Sequence, residues 1–138
     1  MLQGAATHAT SKALKLLDVG CGERKDAVFF ARNGYDVTAF DLAESGIEKT
    51  KRLAERCGVY INTFIADVNE FRLNSEFNII YTNGVLHYIP SELRGDIFNN
   101  YKKFTAENGI NTLSAFIKKP FVGPAPDTEK YTYRWLSG

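Results

Sequence analysis

LLDVGCG, residues 16–22, is the stretch that decides the predicted fold. The apolar run at residues 14–19 is typical of a buried strand, and residues 23–32 have the apolar spacing of a helix. Asn33 and Gly34 end this helix as a C-cap pair would. A strand, a tight glycine turn and a helix in this order indicate the start of a βαβ unit.

The rest of the chain repeats this alternation of strand and helix. Apolar and β-branched runs predict further strands at residues 35–40, 59–66, 77–82, 110–117 and 130–135. Helical spacing predicts helices at residues 44–57 and from Pro90 to Asn108 and Gly109. The sequence therefore predicts an α/β fold, a Rossmann-like, doubly wound parallel sheet of about five strands with helices on both faces.

Acidic residues stand at the predicted carboxyl ends of the first three strands, where ligands of this fold bind. Asp18 lies two positions before the first glycine of the turn, Asp41 ends the second strand and Asp67 ends the third. A carboxylate at the end of the second strand can accept hydrogen bonds from both ribose hydroxyls of a nucleoside. One such acid is more often a helix cap or a loop residue, but three in succession indicate a nucleoside site.

The motifs narrow the class of nucleoside. The dinucleotide pattern G-x-G-x-x-G would place its third glycine at Lys25, and the chain contains no P-loop pattern. A nucleoside with an amino-acid tail fits better, because Asp18 would repel a pyrophosphate. The residues therefore favour S-adenosylmethionine, with a nicotinamide-dependent oxidoreductase as a weaker alternative.

Four segments carry a family resemblance. LLDVGCG at 16–22, NGYDVTAFD at 33–41, IADV at 65–68 and FNIIYTNGVLHYIP at 77–90 resemble, in sequence and order, the class I S-adenosylmethionine-dependent methyltransferases. Among these the sequence is most similar to the tellurite-resistance type of methyltransferase. The resemblance implies a Rossmann-like fold, S-adenosylmethionine as cofactor, and methyl transfer to a small-molecule acceptor such as a thiol or a metalloid oxyanion.

The resemblance also implies roles for individual residues. The turn after the first strand would lie along the methionine part and sugar of the cofactor, and Asp41 would bind the ribose. Leu42 would lie beside the adenine, Asp67 and Val68 would contact it, and the turn after the fourth strand would line the sulfonium end. The implied cofactor-binding residues are Asp18, Gly20, Cys21, Gly22, Asp41, Leu42, Asp67, Val68, Asn83, Gly84 and Val85.

The sequence departs from the family pattern in two places. Arg24 stands where the first motif usually has a third glycine, and the usual C-terminal antiparallel strand pair is lacking after Ile117. We expect a short N-terminal arm at residues 1–13, an S-adenosylmethionine-binding domain at residues 14–119, and a truncated C-terminal loop with a partial strand at residues 120–138. These departures keep a non-catalytic or fragmentary binding domain open as the alternative to an active methyltransferase.

Few side chains near the predicted site could take part in catalysis. His87 is the nearby candidate for a general base, although a histidine after a buried strand more often makes structural hydrogen bonds. His87 and Tyr88 could both face a substrate. Cys21 is interpreted as a small buried cysteine rather than a nucleophile. The spacing of the two histidines predicts no metal site.

Composition argues against several classes of partner. The net charge is +1, and basic residues cluster in the sequence no further than pairs such as Lys102 and Lys103, so neither nucleic acid nor a membrane is expected as a partner. No apolar run is long enough to cross a bilayer, and the first residues lack the apolar segment of a signal peptide. We expect a cytoplasmic protein whose exposed fifth strand favours a homodimer.

Overall fold

The structure, a computed structural model, describes residues 12–22, 25–115, 117–118 and 136–137. Its strands are β1 (Lys15–Val19), β2 (Asp36–Asp41), β3 (Asn62–Ile65), β4 (Phe77–Asn83), β5 (Thr105–Ser114), β6 (Ile117–Lys118) and β7 (Leu136–Ser137). Its helices are α1 (Asp26–Arg32), α2 (Glu44–Arg56) and α3 (Ser91–Lys103), and a 3-10 turn spans Leu86–Tyr88. The strand predicted at residues 130–135 lies outside the described residues.

Strands β1 to β5 form one parallel sheet in the order β3-β2-β1-β4-β5. The chain runs outward from β1 to β3 and then crosses to the other side of β1 with β4, so the topological switch point lies between β1 and β4. The predicted parallel sheet is thereby confirmed. β5 lies at one edge of this sheet, and a homodimer through that edge stays a prediction. β6 and β7 form a separate parallel pair.

Successive residues of β1 face opposite sides of the sheet, as the pleat of a strand requires. Leu16 packs in one core cluster with Ala27 of α1 and Ile47 of α2, whereas Leu17 packs in another cluster with Ile97 of α3. Two helices therefore cover one face and α3 covers the other, as predicted. Burying each large apolar side chain of this kind contributes about 1.5–3 kcal/mol.

The end of α3 corrects the sequence-based expectation. The apolar spacing of Phe104 extends the predicted helix to Asn108 and Gly109, but α3 ends at Lys103 and β5 begins at Thr105. Phe104 still packs against the core that contains α3, which explains why its position keeps the helical spacing. The apolar pattern therefore could not show where the backbone changes from helix to strand.

An irregularity in the pairing of β4 with β5 explains the Asn-Gly signal. Phe77 pairs with Thr105 and Ile79 pairs with Ile110, so the register shifts between these two pairs. Asn108 lies in the extra stretch of β5 and has a φ of 63°, in the left-handed region that asparagine tolerates. The pair therefore marks an interruption inside a strand and not the end of a helix.

The described residues contain neither a candidate membrane span nor a candidate metal site. None of their helices combines the length and apolar character needed to cross a membrane. Nor does the same part of the chain contain a group of three or more histidine, cysteine, aspartate or glutamate side chains that could hold a metal ion.

Candidate functional site

A cleft of about 550 Å³ opens at the carboxyl ends of β1 to β4. Ligands bind at this edge in open parallel sheets, next to the switch point. Pockets for small molecules usually have volumes of about 300–1,000 Å³. The residues that line the cleft are Gly20, Gly22, Phe40, Asp41, Leu42, Ala66, Asp67, Val68, Asn69, Asn83, Gly84, Val85 and Tyr88.

Most of the predicted cofactor-binding residues line this one cleft. The exceptions are Asp18 and Cys21, which are buried. Cys21 belongs to the same turn, and its main-chain N–H donates to the Phe40 carbonyl oxygen at 2.9 Å, which ties the turn after β1 to the end of β2. Arg24, the departure from the glycine motif, lies outside the described residues.

The turn after β1 requires glycine at two positions. Gly20 and Gly22 have φ values of 64° and 54°, which side-chain-bearing residues rarely adopt. A Cβ atom on Gly20 would lie 2.8 Å from Cγ2 of Val85. The turn after β1 therefore approaches the turn after β4 closely, and it presents bare main chain to the cleft.

Asp41 holds the neighbouring turns in place through both carboxylate oxygens. The Gly22 N–H donates to Oδ2 at 2.7 Å, and the Ala43 N–H donates to Oδ1 at 2.8 Å. A carboxylate has about four lone-pair sites, so these two bonds leave accepting capacity on each oxygen. Asp41 can therefore fix the glycine turn and accept hydroxyl groups of a ligand at the same time.

The start of α2 supports the glycine turn from behind, which the sequence analysis missed. A Cβ atom on Gly46 would lie 3.1 Å from the carbonyl carbon and oxygen of Gly22, a tight contact, so glycine at residue 46 lets the helix lie close to the turn. Thr50, one helical turn later, donates its hydroxyl to the Gly22 oxygen at 3.5 Å. One feature of the sequence could have indicated this contact. Gly46 and Thr50 are four residues apart and so lie on the same side of a helix that is otherwise rich in charged residues.

Asp67 closes the cleft at the end of β3. Its Oδ1 accepts the Asn69 N–H at 2.9 Å, and its carbonyl oxygen accepts the Phe71 N–H at 2.8 Å, so the carboxylate orders its own turn. Its other carboxylate oxygen accepts no hydrogen bond from the part of the chain that the structure describes. One oxygen of Asp67 is thus available to a donor on a ligand.

The 3-10 turn after β4 separates the two candidate substrate-facing residues. Tyr88 lines the cleft and is 48% exposed, whereas His87 is 4% exposed and does not line it. The centroids of the two rings lie 4.8 Å apart, so the buried His87 ring packs beside the Tyr88 ring. The side chain at the cleft surface is the tyrosine and not the histidine.

The other lining residues that the sequence analysis did not list are Phe40, Ala66 and Asn69. Each is adjacent to, or two positions from, a predicted acid at a strand end. The predicted acids Asp41 and Asp67 therefore indicated where these residues lie. Nothing in the side chains of the three residues themselves pointed to a site.

Cys21 is a neutral thiol in the folded protein. Burial raises the pKa of the Cys21 thiol to about 12, and the nearby carboxylates of Asp18 and Asp41 add to the rise. Because a thiol must lose its proton to act as a nucleophile, this environment agrees with the interpretation of Cys21 as a buried structural cysteine.

The raised pKa of Cys21 predicts a loss of stability at alkaline pH. The unfolded chain releases the thiol proton above about pH 8.5, whereas the folded chain keeps it until about pH 12, so unfolding releases a proton between these values. The thiol should therefore lower the free energy of unfolding by up to about 1.4 kcal/mol per pH unit in this window. Urea unfolding of the wild type and Cys21→Ala between about pH 8 and pH 10 measures the slope.

The Cys21→Ala variant should show a shallower decline than the wild type. Cys57→Ala, at the half-buried second cysteine, is the matched control and should keep the full decline. Equal slopes for the wild type and Cys21→Ala would contradict the prediction. A residual slope is expected in all variants, because burial also raises the pKa of Tyr101 to about 12.

Comparisons with known proteins agree with this geometry. Residues 5–132 match the model of the family described as tellurite resistance protein TehB. The chain belongs to the TehB family. The resemblance seen in the four sequence segments is thereby confirmed.

Two curated relatives illustrate the similarity of this TehB-family chain. It is 28% identical over 119 residues to the probable S-adenosyl-L-methionine-dependent methyltransferase TehB of Haemophilus influenzae, which covers 86% of this chain and 41% of the relative. It is 29% identical over 111 residues to a ubiquinone biosynthesis O-methyltransferase of Rickettsia canadensis, covering 79% and 46%. The chain thus spans less than half the length of these relatives.

Solved structures confirm the fold. TehB from Haemophilus influenzae superposes with a TM-score of 0.80 and 23% identity, covering 100% of this chain and 47% of that one. Phosphoethanolamine N-methyltransferase 1 from Haemonchus contortus, solved with phosphoethanolamine and S-adenosylhomocysteine, gives a TM-score of 0.73 at 18% identity, covering 96% and 28%. The Rossmann-like architecture is therefore shared with methyltransferases.

Proposed function

We propose that this chain binds S-adenosylmethionine in the cleft and transfers its methyl group to a small-molecule acceptor. The observation that carries the proposal is the convergence of Asp41 and Asp67 on one cleft beside the glycine turn of β1. Membership of the TehB family and the methyltransferase names of its relatives support the same activity.

The chemistry of the lining residues fits this cofactor. Asp41 retains accepting capacity for the two ribose hydroxyls, and the oxygen of Asp67 without a hydrogen bond suits the exocyclic amine of adenine. Leu42 and Val68 supply apolar surface for the adenine ring. A Cβ at residue 20 would fill the narrow space against Val85, so the glycine preserves a cradle for the sugar and methionine parts.

In the proposed mechanism the chain supplies position rather than reactive groups. When bound, S-adenosylmethionine supplies an electrophilic methyl group on its sulfonium. The turn at residues 20–22, with Asp18 buried behind it, would hold the methionine part, and the turn at residues 83–85 would orient the sulfonium end toward the acceptor. Holding two reactants in line in this way removes most of the entropic cost of their encounter.

The burial of His87 bears on the class of acceptor. His87, the candidate general base, is buried and does not line the cleft. An oxygen or nitrogen acceptor that must lose a proton needs a base within hydrogen-bond reach, whereas a thiolate or a metalloid oxyanion does not. We therefore propose soft anions of this kind as the acceptor class.

Calorimetric titration with S-adenosylhomocysteine and S-adenosylmethionine tests the cofactor site. We expect the wild type to bind both and Asp41→Ala to bind about a hundredfold more weakly, because hydrogen bonds to a carboxylate are lost from both the ligand and the glycine turn. Asp36→Ala is the matched control, because Asp36 is an exposed aspartate at the opposite end of the same strand. Absence of binding by the folded wild type would contradict the proposal.

Transfer is tested separately from binding. The protein is incubated with S-adenosylmethionine that carries a labelled methyl group, together with thiols, selenite or tellurite as acceptors. Labelled product supports the full proposal. Binding of the cofactor without transfer to any of these acceptors would instead support the alternative, a domain that binds S-adenosylmethionine without catalysis.

A further inference from the structure

Four polar side chains form a hydrogen-bonded cluster behind the turn after β4, which we call the Asp26 cluster (Asp26, Tyr81, Asn83 and Ser114). The Tyr81 hydroxyl donates to Asp26 Oδ2 at 2.9 Å. The Asn83 amide nitrogen donates to the same oxygen at 3.3 Å and to the Tyr81 hydroxyl at 3.0 Å. The Ser114 hydroxyl donates to the amide oxygen of Asn83. The cluster thus connects the first turn of α1 with the carboxyl ends of β4 and β5.

Tyr81 is held firmly within this cluster. Its ring packs edge-on against Phe30 of α1, with centroids 5.0 Å apart and planes at 72°. Burial raises the pKa of Tyr81, and the hydrogen bond to the Asp26 carboxylate raises it further, so the phenol keeps its proton. Hydrogen bonds to an ionised acceptor are stronger than those between neutral groups. Tyr81 therefore remains a donor to Asp26 across the ordinary pH range.

The Asp26 cluster reaches the cleft through the turn at residues 83–85. Asn83 is the last residue of β4 and also lines the cleft. The next residue, Gly84, donates its N–H to the Ser114 carbonyl oxygen at 3.0 Å. The residue after that is Val85, whose side chain closes on Gly20. One residue, Gly84, therefore separates the polar cluster from the close approach of Val85 to Gly20.

We propose that Asp26 and Tyr81 are positioning residues that hold the turn at residues 83–85 against Gly20 and so set the shape of the cleft for the cofactor. The inference rests on the proposed function of the cleft. Neither residue lines the cleft, so both act through Asn83. This arrangement could not be predicted from local sequence patterns, because Asp26 and Tyr81 lie 55 positions apart.

Conservative substitutions and a matched control test the proposal by titration with S-adenosylhomocysteine. Tyr81→Phe removes only the hydroxyl, and we expect the affinity to fall about tenfold. Tyr35→Phe is the control, because the Tyr35 ring also packs edge-on against Phe30, at 6.0 Å, and should leave the affinity unchanged. Asp26→Ala should match the loss in Tyr81→Phe, and Asp26→Asn should recover part of it by retaining an accepting oxygen.

A second readout needs no ligand, which separates this inference from the proposed function. Amide hydrogen exchange at residues 83–86 should be faster in Tyr81→Phe than in the wild type, while exchange in β1 and β2 stays the same. This local change supports the inference even if the wild type binds no cofactor. Unchanged exchange at the turn, a uniform increase throughout the sheet, or wild-type affinity in Tyr81→Phe would overturn it.

Discussion

Gly20→Ala is expected to weaken binding of S-adenosylhomocysteine by at least about a hundredfold, a loss of roughly 2.7 kcal/mol. The new methyl group would lie 2.8 Å from Cγ2 of Val85, closer than carbon atoms approach in proteins. Valine has a stiff, β-branched side chain, so relief requires a movement of the main chain on one side of the cleft. Either movement changes the surface along which the methionine part of the cofactor is proposed to lie. Calorimetric titration measures the change.

Gly58→Ala separates this contact from backbone strain. Gly58 has a φ of 67°, close to the 64° of Gly20, but a Cβ atom there would have no neighbour within 4 Å. Alanine in this conformation costs about 1–2 kcal/mol of stability, and Gly58→Ala should show that cost with unchanged affinity. Gly20→Ala should show a larger loss of stability together with the loss of affinity. Wild-type affinity in Gly20→Ala would show that Val85 yields without disturbing the cleft.

Phe40→Ala is expected to lower the free energy of unfolding by about 3–5 kcal/mol. Phe40 is 0% exposed, and its ring centroid lies 5.3 Å from that of Phe64 and 5.1 Å from that of Phe71. Its removal leaves a cavity in the core that α3 covers, directly beneath the cleft. Urea unfolding measures the change.

A single domain is stabilised by only about 5–15 kcal/mol, so Phe40→Ala removes a large part of the stability. Phe40→Leu, which keeps much of the volume, should lie between the wild type and Phe40→Ala and keeps the comparison measurable. Phe29→Ala is the matched control, because Phe29 is 61% exposed on α1 and should change stability by less than about 0.5 kcal/mol. A loss below about 1 kcal/mol in Phe40→Ala would contradict the close packing of the three rings.

The parallel sheet and the location of its cleft could be predicted because both depend on local patterns. Apolar runs that stop at glycine or aspartate mark the carboxyl ends of strands, and parallel strands bring those ends to one edge. Gly20, Asp41 and Asp67 were found in this way without any knowledge of which residues pack together. The same reasoning could not locate the end of α3. Phe104 packs against the same core as the helix, although it lies just beyond the last helical residue.

Contacts between distant parts of the chain could not be predicted from local sequence patterns. The Asp26 cluster and the contact of Gly46 with Gly22 depend on how α1 and α2 lie on the sheet. Charge shows the same limit. Adjacent basic residues occur in the sequence only as pairs, yet the fold brings four cations around a depression beside α2 that Glu55 also lines. These cations are Lys25, Lys49, Arg52 and Arg56.

The contact of Gly46 with Gly22 also has a consequence for engineering this protein. Replacing a helix glycine by alanine ordinarily stabilises a protein by about 1 kcal/mol, and it is among the simplest substitutions to choose. At Gly46 the methyl group would lie 3.1 Å from the carbonyl group of Gly22, so the glycine turn would have to shift by a few tenths of an ångström, which offsets the gain. Gly95, in α3, has open space where a Cβ atom would be placed. Gly95→Ala in α3 is therefore a better substitution for raising thermal stability than Gly46→Ala in α2.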